Sequence, residues 1–360
     1  MNLITISLCL IVKNEENTLG RCLESVKNAM DEIIIVDTGS TDKTKDIAAR
    51  YTERIYDFTW IDDFGAARNF AFSHATQDYI MWLDADDVLL ENDLQKLLLL
   101  KQDLDSTVDS VTMNYNLASD ANGNIVSSLR RNRLVKRARQ FQWIGAVHEY
   151  LAVNGKIIDS DVTVTHKKER CDTADRNLKI YEKRITDGEV FSPRDLFYYA
   201  NELVDHHIYE KAVEYYQKFL DTKLGWVEDN ISACGKLSDC FAFLSDEQQK
   251  LKYIYHSFEY DTPRPDFCCR LGYHFLNSQK YSLAIFWYKL ALDLKDSNNH
   301  SSLKNYACST WLPHLQLCVC YSKLGENETA LEYNKNAESY VPNHPSVLYN
   351  KEYFAKLFNS

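Results

Sequence analysis

The chain has 360 residues, of which 45% are hydrophobic, and its formal net charge is −11. This length and composition predict a protein with two globular domains. The acidic balance argues against binding to duplex nucleic acid, which requires a basic surface. The 11 glycines and 6 prolines are too few for a disordered or fibrous protein.

The chain is expected to lie in the cytoplasm without a membrane anchor. Its 10 cysteines show neither zinc-knuckle spacing nor a disulfide framework, so they are expected to be buried, reduced thiols. The apolar residues 3–12 lack the basic flank and the cleavage site of a secretory signal. No apolar run approaches the ~18–20 residues that span a bilayer.

In the first half, short apolar runs alternate with amphipathic stretches. In chain order, the pattern predicts a strand at 4–12, a helix at 18–29, a strand at 32–36, a helix at 42–51, a strand at 55–57, a helix at 64–74 and a strand at 79–83. Strands that alternate with helices indicate a mainly parallel α/β sheet. Because ligands bind beyond the carboxyl ends of such strands, the site is expected at 13–17, 37–42 and 84–87.

From about Asp172 onward the pattern is helical. Three segments, around Ala212, Ala284 and Ala330, each place a small residue a few positions before an aromatic one. A weaker copy covers 248–258, and the spacing of the first copies is close to the ~34 residues of a tetratricopeptide repeat. The sequence therefore predicts an α/β domain over 1–171, a linker helix over 172–195 and an all-α repeat domain over 196–360. A plain helical bundle is the alternative to the repeat.

Three motifs in the first half resemble those of one enzyme family. They are Ile-Val-Lys-Asn-Glu-Glu at 11–16, Val-Asp-Thr-Gly-Ser-Thr-Asp-Lys-Thr at 36–44 and Leu-Asp-Ala-Asp-Asp at 83–87. In this order they resemble the family 2 glycosyltransferases, over about residues 3–170. The resemblance implies a GT-A fold with a Rossmann-like sheet, and inverting transfer of a hexose from a UDP-sugar donor. It also implies dependence on Mg²⁺ or Mn²⁺.

The resemblance places a metal site at the end of the strand 79–83. Asp84 and Asp86 form a DxD motif, whose carboxylates can ligate a hard divalent cation beside the phosphates of the donor. His166 is implied as a further ligand, because imidazole and carboxylate together suit Mn²⁺ or Mg²⁺. The alternatives are an acidic turn at a helix start and a structural histidine, and Asp87 is expected either to join the site or to cap the next helix.

The resemblance also implies a set of donor-binding residues. Asp37 and Asp57, at strand ends, would accept hydrogen bonds from the uridine. Arg133, one of six cations within residues 130–139, would bind phosphate, the others being a solvated basic strand. Arg68 would steady a phosphate of the donor or the acidic cluster, or else lie exposed on an amphipathic helix. Trp143 would stack against the sugar, or else lie in the core. The implied set comprises Val12, Glu15, Asp37, Asp57, Arg68, Asp84, Ala85, Arg133 and Trp143.

Inverting transfer needs a general base on the face of the sugar opposite the leaving group. The resemblance implies a carboxylate within residues 143–149, and Glu149 is the candidate. His148 is the alternative, because an imidazole takes up a proton near neutral pH. If both lie on an extended strand their side chains face opposite ways, so only one would face the acceptor.

The helical half suggests the acceptor, because arrays of paired helices commonly hold peptides. The layout resembles the bacterial glycosyltransferases that modify cysteine or serine in bacteriocin precursors (glycocins). This resemblance implies transfer, with glucose as the expected hexose, to a precursor peptide, cysteine first because thiols ionise more readily than hydroxyls. The aromatic residues of the helical half would also suit a homodimer interface.

Three other functions stay open. Similar layouts occur in transferases that build cell-surface glycans. An inactive helical-repeat adaptor would not need the carboxylates at the strand ends. A nucleotidyltransferase would carry a Gly-rich phosphate loop after the first strand, where this chain has Lys13-Asn14-Glu15-Glu16.

Overall fold

The computed structural model describes residues 3–119, 125–167, 174–294 and 305–359. The chain divides into two compact units, Met1–Val190 and Phe191–Ser360. This division falls inside the segment 172–195, and the helix in that segment, Ala174–Thr186, belongs to the first unit. The predicted boundary at residues 171 and 172 lies outside the described residues.

The described part of the first unit combines ten strands with five α-helices and two short 3₁₀ helices. The strands are β1 (Ile6–Val12), β2 (Glu32–Asp37), β3 (Ile55–Asp57), β4 (Tyr79–Trp82), β5 (Asp87–Leu89), β6 (Ser110–Ser119), β7 (Ile125–Lys136), β8 (Gln142–Ile144), β9 (Tyr150–Ala152) and β10 (Ile157–His166). The helices are α1 (Leu19–Val26), α2 (Thr44–Ala48), α3 (Phe64–Ser73), α4 (Glu91–Asp103) and α5 (Ala174–Thr186). Each element predicted between residues 4 and 83 is present, with ends shifted by a few residues.

Eight strands form one sheet in the order β3-β2-β1-β4-β7-β6-β10-β5, and β8 pairs with β9 in a separate hairpin. Four of the seven neighbouring pairs are parallel, which confirms the predicted α/β class. Between Asp159 and Thr163, β10 advances four residues while β6 advances two, from Thr112 to Asn114. This bulge lies shortly before His166, the last residue of β10.

Both faces of the sheet are covered, and each strand contributes to both cores because its side chains alternate between the two faces. In β1, Leu8 and Leu10 belong to a core with the buried face of α1, formed by Leu19, Cys22, Leu23 and Val26. Cys9 belongs to the opposite core, with Phe72 of α3. With both faces packed, the polar residues collect at the edge of the sheet where β1, β2, β3 and β4 end together.

The second unit is an array of helical hairpins. Its helices are α6 (Pro193–Asp205), α7 (Tyr209–Asp221), α8 (Val227–Phe243), α9 (Glu247–His256), α10 (Pro265–Asn277), α11 (Tyr281–Asp293), α12 (Tyr306–Ser309), α13 (Trp311–Lys323), α14 (Asn327–Tyr340) and α15 (Pro345–Phe358). Helix α6 packs on α7, α8 on α9, α10 on α11 and α13 on α14. Ala212, Ala284 and Ala330 are fully buried in the second helix of three of these pairs, where a small side chain permits close packing. The predicted array of paired helices is confirmed.

The nine cysteines within the described residues are free and buried, as predicted for them. Several, including Cys268, Cys318 and Cys320, belong to the core of the helical unit. No helix in the described part of the chain is both long enough and apolar enough to cross a bilayer.

Two helical glycines of the second unit allow a test of this packing. A methyl group on Gly272 would lie 2.7 Å from ring carbons of Tyr288, which is buried and cannot withdraw, whereas a methyl group on Gly235 would meet its nearest atom at 3.4 Å. We expect Gly272→Ala to lower the free energy of unfolding by about 1–3 kcal/mol through overpacking. Gly235→Ala should be neutral or stabilise by up to about 1 kcal/mol through helix propensity. Urea denaturation of the full chain measures both, and equal stabilities would contradict the packing.

Candidate active site

Asp86, Asp87 and His166 form a cluster at the carboxyl edge of the sheet. One ligand atom from each lies within 4.8 Å of the others, and His166 Nδ1 is 3.4 Å from Oδ1 of both carboxylates. The backbone holds this arrangement, because β10 and β5 pair His166 directly with Asp87. Carboxylate oxygens and an imidazole suit Mg²⁺ or Mn²⁺, so these three side chains fit as ligands of a divalent cation.

The two carboxylates keep the imidazole charged when no metal is bound. Hydrogen bonds that the ring N–H donates to Asp86 and Asp87 raise the pKa of His166 to about 10, although burial acts in the opposite direction. The ring therefore holds a proton at neutral pH, and a metal that binds His166 would have to displace it.

Asp87 is anchored from beneath by Arg133. Both side chains are fully buried, and Arg133 Nη2 lies 3.0 Å from Asp87 Oδ2. The guanidinium carbon of Arg133 is 3.8 Å from the ring centroid of Trp82 and 4.4 Å from that of Tyr115. Arg133 was predicted to bind phosphate of the donor. In this structure it lies under the cluster without access to solvent, where it neutralises a buried carboxylate.

Arg68 links two carboxylates of the site. Its Nη2 donates to Asp84 Oδ1 at 2.7 Å, and its Nε donates to Glu149 Oε1 at 2.6 Å. Its guanidinium carbon lies 5.0 Å from the ring centroid of Trp82 and 4.9 Å from that of Trp143. Arg68 is thus a buried residue of the site rather than an exposed arginine on a helix.

Arg68 and Asp84 are both charged at neutral pH. Burial lowers the pKa of Arg68, but Asp84 and Glu149 together raise it by more. The pKa is therefore raised overall, and the guanidinium stays charged. Burial alone would raise the pKa of Asp84, yet Arg68 and Arg133 lower it overall. Asp84 is therefore an ionised carboxylate that faces Arg68, while Asp86 and Asp87 face His166. The predicted role of Asp84 as a metal ligand stays a prediction.

Residues 145–149 form a turn between β8 and β9. His148 has a φ of 51° and Gly145 a φ of 104°, both in the left-handed region. The expectation that His148 and Glu149 lie on one extended strand is therefore wrong, because the left-handed residue bends the chain between them. The side chain of Glu149 is 13% exposed and contacts Arg68.

Trp143 lies in the core beside the site. Its ring is 5% exposed and packs edge-on against Phe72 and Trp82. Asn69 accepts a hydrogen bond from Trp143 N at 2.8 Å and donates one to Trp143 O at 2.9 Å. Of the two alternatives for Trp143, the geometry supports the core tryptophan, and its ring forms one wall around Arg68.

Asp37 presents one carboxylate oxygen without a hydrogen bond. Its Oδ2 accepts from Gly39 N and Ser40 N, both at 3.0 Å. Its Oδ1 is buried and accepts no hydrogen bond from any described residue. Such an oxygen is costly to bury unless a ligand donates to it. Asp37 thus has the free acceptor expected of a nucleotide-binding carboxylate.

Lys45 connects Asp37 with Asp57, and the sequence analysis missed it. Its Nζ forms an ion pair with Asp57 and lies 3.8 Å from Asp37 Oδ2. The side chain of Asp57 is 76% exposed, so solvent reaches this pair. A lysine in the first turn of the helix that follows β2 was the available signal. Asp37 and Asp57 are paired at the ends of β2 and β3, and their predicted binding of uridine stays a prediction.

The segments after β1 and β2 are tied to each other. Asn14 N donates to Ser40 Oγ at 2.9 Å, and Glu15 N donates to Thr44 Oγ1 at 2.7 Å. Val12 is buried, and its carbonyl accepts a hydrogen bond from the backbone of the segment after β2. Ala85, also of the predicted donor set, is buried within the DxD segment. The structure therefore places Val12, Glu15 and Ala85 along the edge of the sheet where they were expected.

The neighbouring aspartates predict a contrast in stability. Asp87→Asn leaves Arg133 buried without its counter-ion, so we expect a loss of about 3–5 kcal/mol in the free energy of unfolding. Asp86→Asn changes a carboxylate that is 25% exposed and should cost less than about 1 kcal/mol. Chemical denaturation of both variants without metal measures the difference. Equal losses would contradict a structural role for Asp87.

The chain is similar to several known proteins. Residues 7–159 match the model of the glycosyl transferase family 2. Glycosyltransferase SunS of Bacillus phage SPbeta is 28% identical over 232 residues, which cover 60% of this chain and 53% of SunS. A TPR repeat-containing protein of Synechococcus elongatus is 49% identical over 85 residues, or 24% of this chain and 21% of that protein. The chain thus spans about half of SunS and about a fifth of the second relative.

Among solved structures, glucosyl-3-phosphoglycerate synthase from Mycobacterium tuberculosis, in complex with Mn²⁺, UDP-glucose and phosphoglyceric acid, has a TM-score of 0.37 at 16% identity. The similarity covers 53% of this chain and 82% of that one. The TPR protein YrrB has a TM-score of 0.38 at 16% identity, covering 50% and 84% of the two chains.

Proposed function

Because residues 7–159 form a family 2 glycosyltransferase domain, we propose that the chain transfers a hexose from a UDP-sugar to a peptide side chain with inversion. The proposed acceptor is a cysteine, with serine second, of a precursor peptide. One observation carries the proposal: Asp37, the carboxylates Asp84 and Glu149 that Arg68 links, and the cluster around His166 all lie along the edge where the parallel strands end.

Asp37 would bind the uridine of the donor. Its buried Oδ1 is the acceptor that a ribose hydroxyl or a base N–H would satisfy. Lys45 would hold Asp37 and Asp57 in place and offer a positive charge to an anionic donor. Val12 and Glu15 would complete this side of the site.

Asp86, Asp87 and His166 would hold a divalent cation. The cation would neutralise the charge that develops on the departing diphosphate. The clustered carboxylates would otherwise repel the donor, since the cations that accompany them, Arg68 and Arg133, are buried and already paired. Donor binding and metal binding should therefore depend on each other.

Glu149 would act as the general base. The thiol sulfur of the acceptor forms a bond to the anomeric carbon, while the bond from that carbon to the diphosphate oxygen breaks and UDP leaves with the electron pair. The thiol proton goes to the carboxylate of Glu149. A single displacement of this kind inverts the configuration at the anomeric carbon. A thiol needs less help from the base than a hydroxyl, which supports cysteine as the first acceptor.

The helical unit supports a peptide acceptor rather than a small molecule. Arrays of stacked helical hairpins commonly bind extended peptides along their length. Exposed aromatic side chains in this unit, among them Tyr273, Phe286 and Tyr349, offer apolar contacts of the kind that peptides use.

Metal dependence of donor binding gives the first test. Isothermal titration of UDP should show binding at least about tenfold tighter with Mn²⁺ than with EDTA, because the cation offsets the carboxylate charge. The enhancement should disappear in Asp86→Asn and His166→Ala. Asp103→Asn, which removes an exposed carboxylate at the end of α4, should keep it. An equal affinity with and without metal would contradict the metal site.

Transfer itself gives the second test. The enzyme, a UDP-sugar mixture and a peptide with one cysteine are followed by mass spectrometry. We expect a hexose adduct that survives base treatment, with less transfer to the Cys→Ser peptide. Glu149→Gln should lower kcat about 10²–10⁴-fold, the usual contribution of a general base.

Other products would point to the other functions. Transfer only to lipid-linked glycans would reject the peptide acceptor, and pyrophosphate release from UTP and a sugar phosphate would indicate a nucleotidyltransferase. Complete absence of metal-dependent turnover of any UDP-sugar would favour an inactive adaptor.

A further inference from the structure

We propose that Arg68 is a positioning residue, which holds the carboxylate of Glu149 in the orientation needed for its role as base and does not bind the donor. The proposal rests on the proposed function for the identity of the base. It concerns how the turn of residues 145–149 is fixed to the rest of the domain.

Helix α3 contacts the turn at its first residues. Phe64 N donates to Ala146 O at 2.8 Å. A methyl group on Gly65 would lie 2.6 Å from Gly145 O, so the helix and the turn approach as closely as only glycine allows.

One turn of helix later, α3 contacts both ends of the segment 143–149. Arg68 reaches Glu149, and Asn69 makes two hydrogen bonds with the backbone of Trp143. Residues 64, 65, 68 and 69 lie on one face of the helix. This face of α3 therefore holds the segment 143–149 in place.

The turn lies beyond the last pair of the β8–β9 hairpin, Ile144 and Tyr150, so contacts from α3 bear directly on its conformation. Residues 145–149 belong to neither β8 nor β9, and Gly145 and His148 both adopt left-handed φ angles. For a residue other than glycine this conformation is unfavourable by itself and persists when surrounding contacts impose it.

Arg68 is held rigidly enough to impose an orientation. Its side chain is 10% exposed and lies beside the rings of Trp82 and Trp143, which contact each other edge-on. Two donors of one planar guanidinium point to Asp84 and to Glu149, so its width sets the spacing of the two carboxylates. A phosphate could reach the N–H groups that hold Asp84 and Glu149 only by displacing one of these carboxylates.

A double-mutant cycle on transfer tests this role. Arg68→Met should lower kcat about 10- to 100-fold through misplacement of the base. The KM for the donor should change less than about threefold, because the residue does not touch it. In a Glu149→Gln background, Arg68→Met should lower kcat less than about threefold further, since the group it positions is gone. Arg68→Lys keeps the charge and should recover part of the loss.

A multiplicative effect of the two substitutions would overturn the proposal. So would a rise in donor KM that accounts for the whole loss at unchanged kcat, because it would make Arg68 a donor-binding residue.

Hydrogen exchange tests the same claim without substrate. In Arg68→Met, backbone amides of residues 145–150 should exchange at least about tenfold faster than in the wild type, because local opening of the turn becomes easier. Ser73→Ala, at the exposed end of the same helix, should leave them unchanged. If Arg68→Met does not fold, Arg68→Lys carries the comparison, with a smaller increase.

The two measurements separate the possible failures. Unchanged exchange in a folded Arg68 variant overturns the positioning role even if sugar transfer is confirmed. Faster exchange in a protein that transfers no sugar supports the anchoring of the turn and rejects the proposed reaction alone.

Discussion

The acidic edge of the sheet depends on compensation of negative charge in places that water does not reach. Asp87 is fully buried and Glu149 is largely buried, so each would be costly to ionise without a partner. Two buried guanidinium groups meet this need, Arg133 for Asp87 and Arg68 for Glu149 and Asp84. A buried ion pair adds little net stability, but loss of one member is severe. The arginines therefore fix where the carboxylates lie more than they stabilise the fold.

One aromatic side chain joins the two ion pairs. The ring of Trp82, at the end of β4, is near the guanidinium carbons of both Arg68 and Arg133. Its Nε1 donates to Asn132 O at 2.6 Å, which fixes the ring in the sheet. The arginines that hold the proposed base and the proposed metal ligands thus pack against the same ring of Trp82, although these residues belong to segments far apart in sequence. A change in the packing of Trp82 would affect both halves of the site together.

The elements with strong periodic patterns could be predicted from the sequence, and so could the place of the site. Strand β1 and the buried face of α1 follow from apolar spacing, and Asp37 from its position at a strand end. Strand β5 has three residues and begins at Asp87, the last residue of the acidic motif. It is too short to show a strand pattern in the sequence. The resemblance singled out Arg133 in the run of cations at 130–139, but its burial could not be predicted, since only the fold decides which side chain is buried. The turn at His148 was missed because a left-handed φ at a histidine has no clear sequence signal; Gly145 was the available hint.

The bulge in β10 decides which face of the sheet receives His166. Between Asp159 and Thr163 the strand carries two more residues than its partner β6, and the side chains of Val162 and Val164 beyond Asp159 both belong to the core that α1 covers. Because side chains alternate along a strand, His166 lies on the same face as these two valines, opposite Asp87 in the pairing with β5. The form of the bulge, and not only the identity of the last residue, therefore brings the histidine to the acidic cluster.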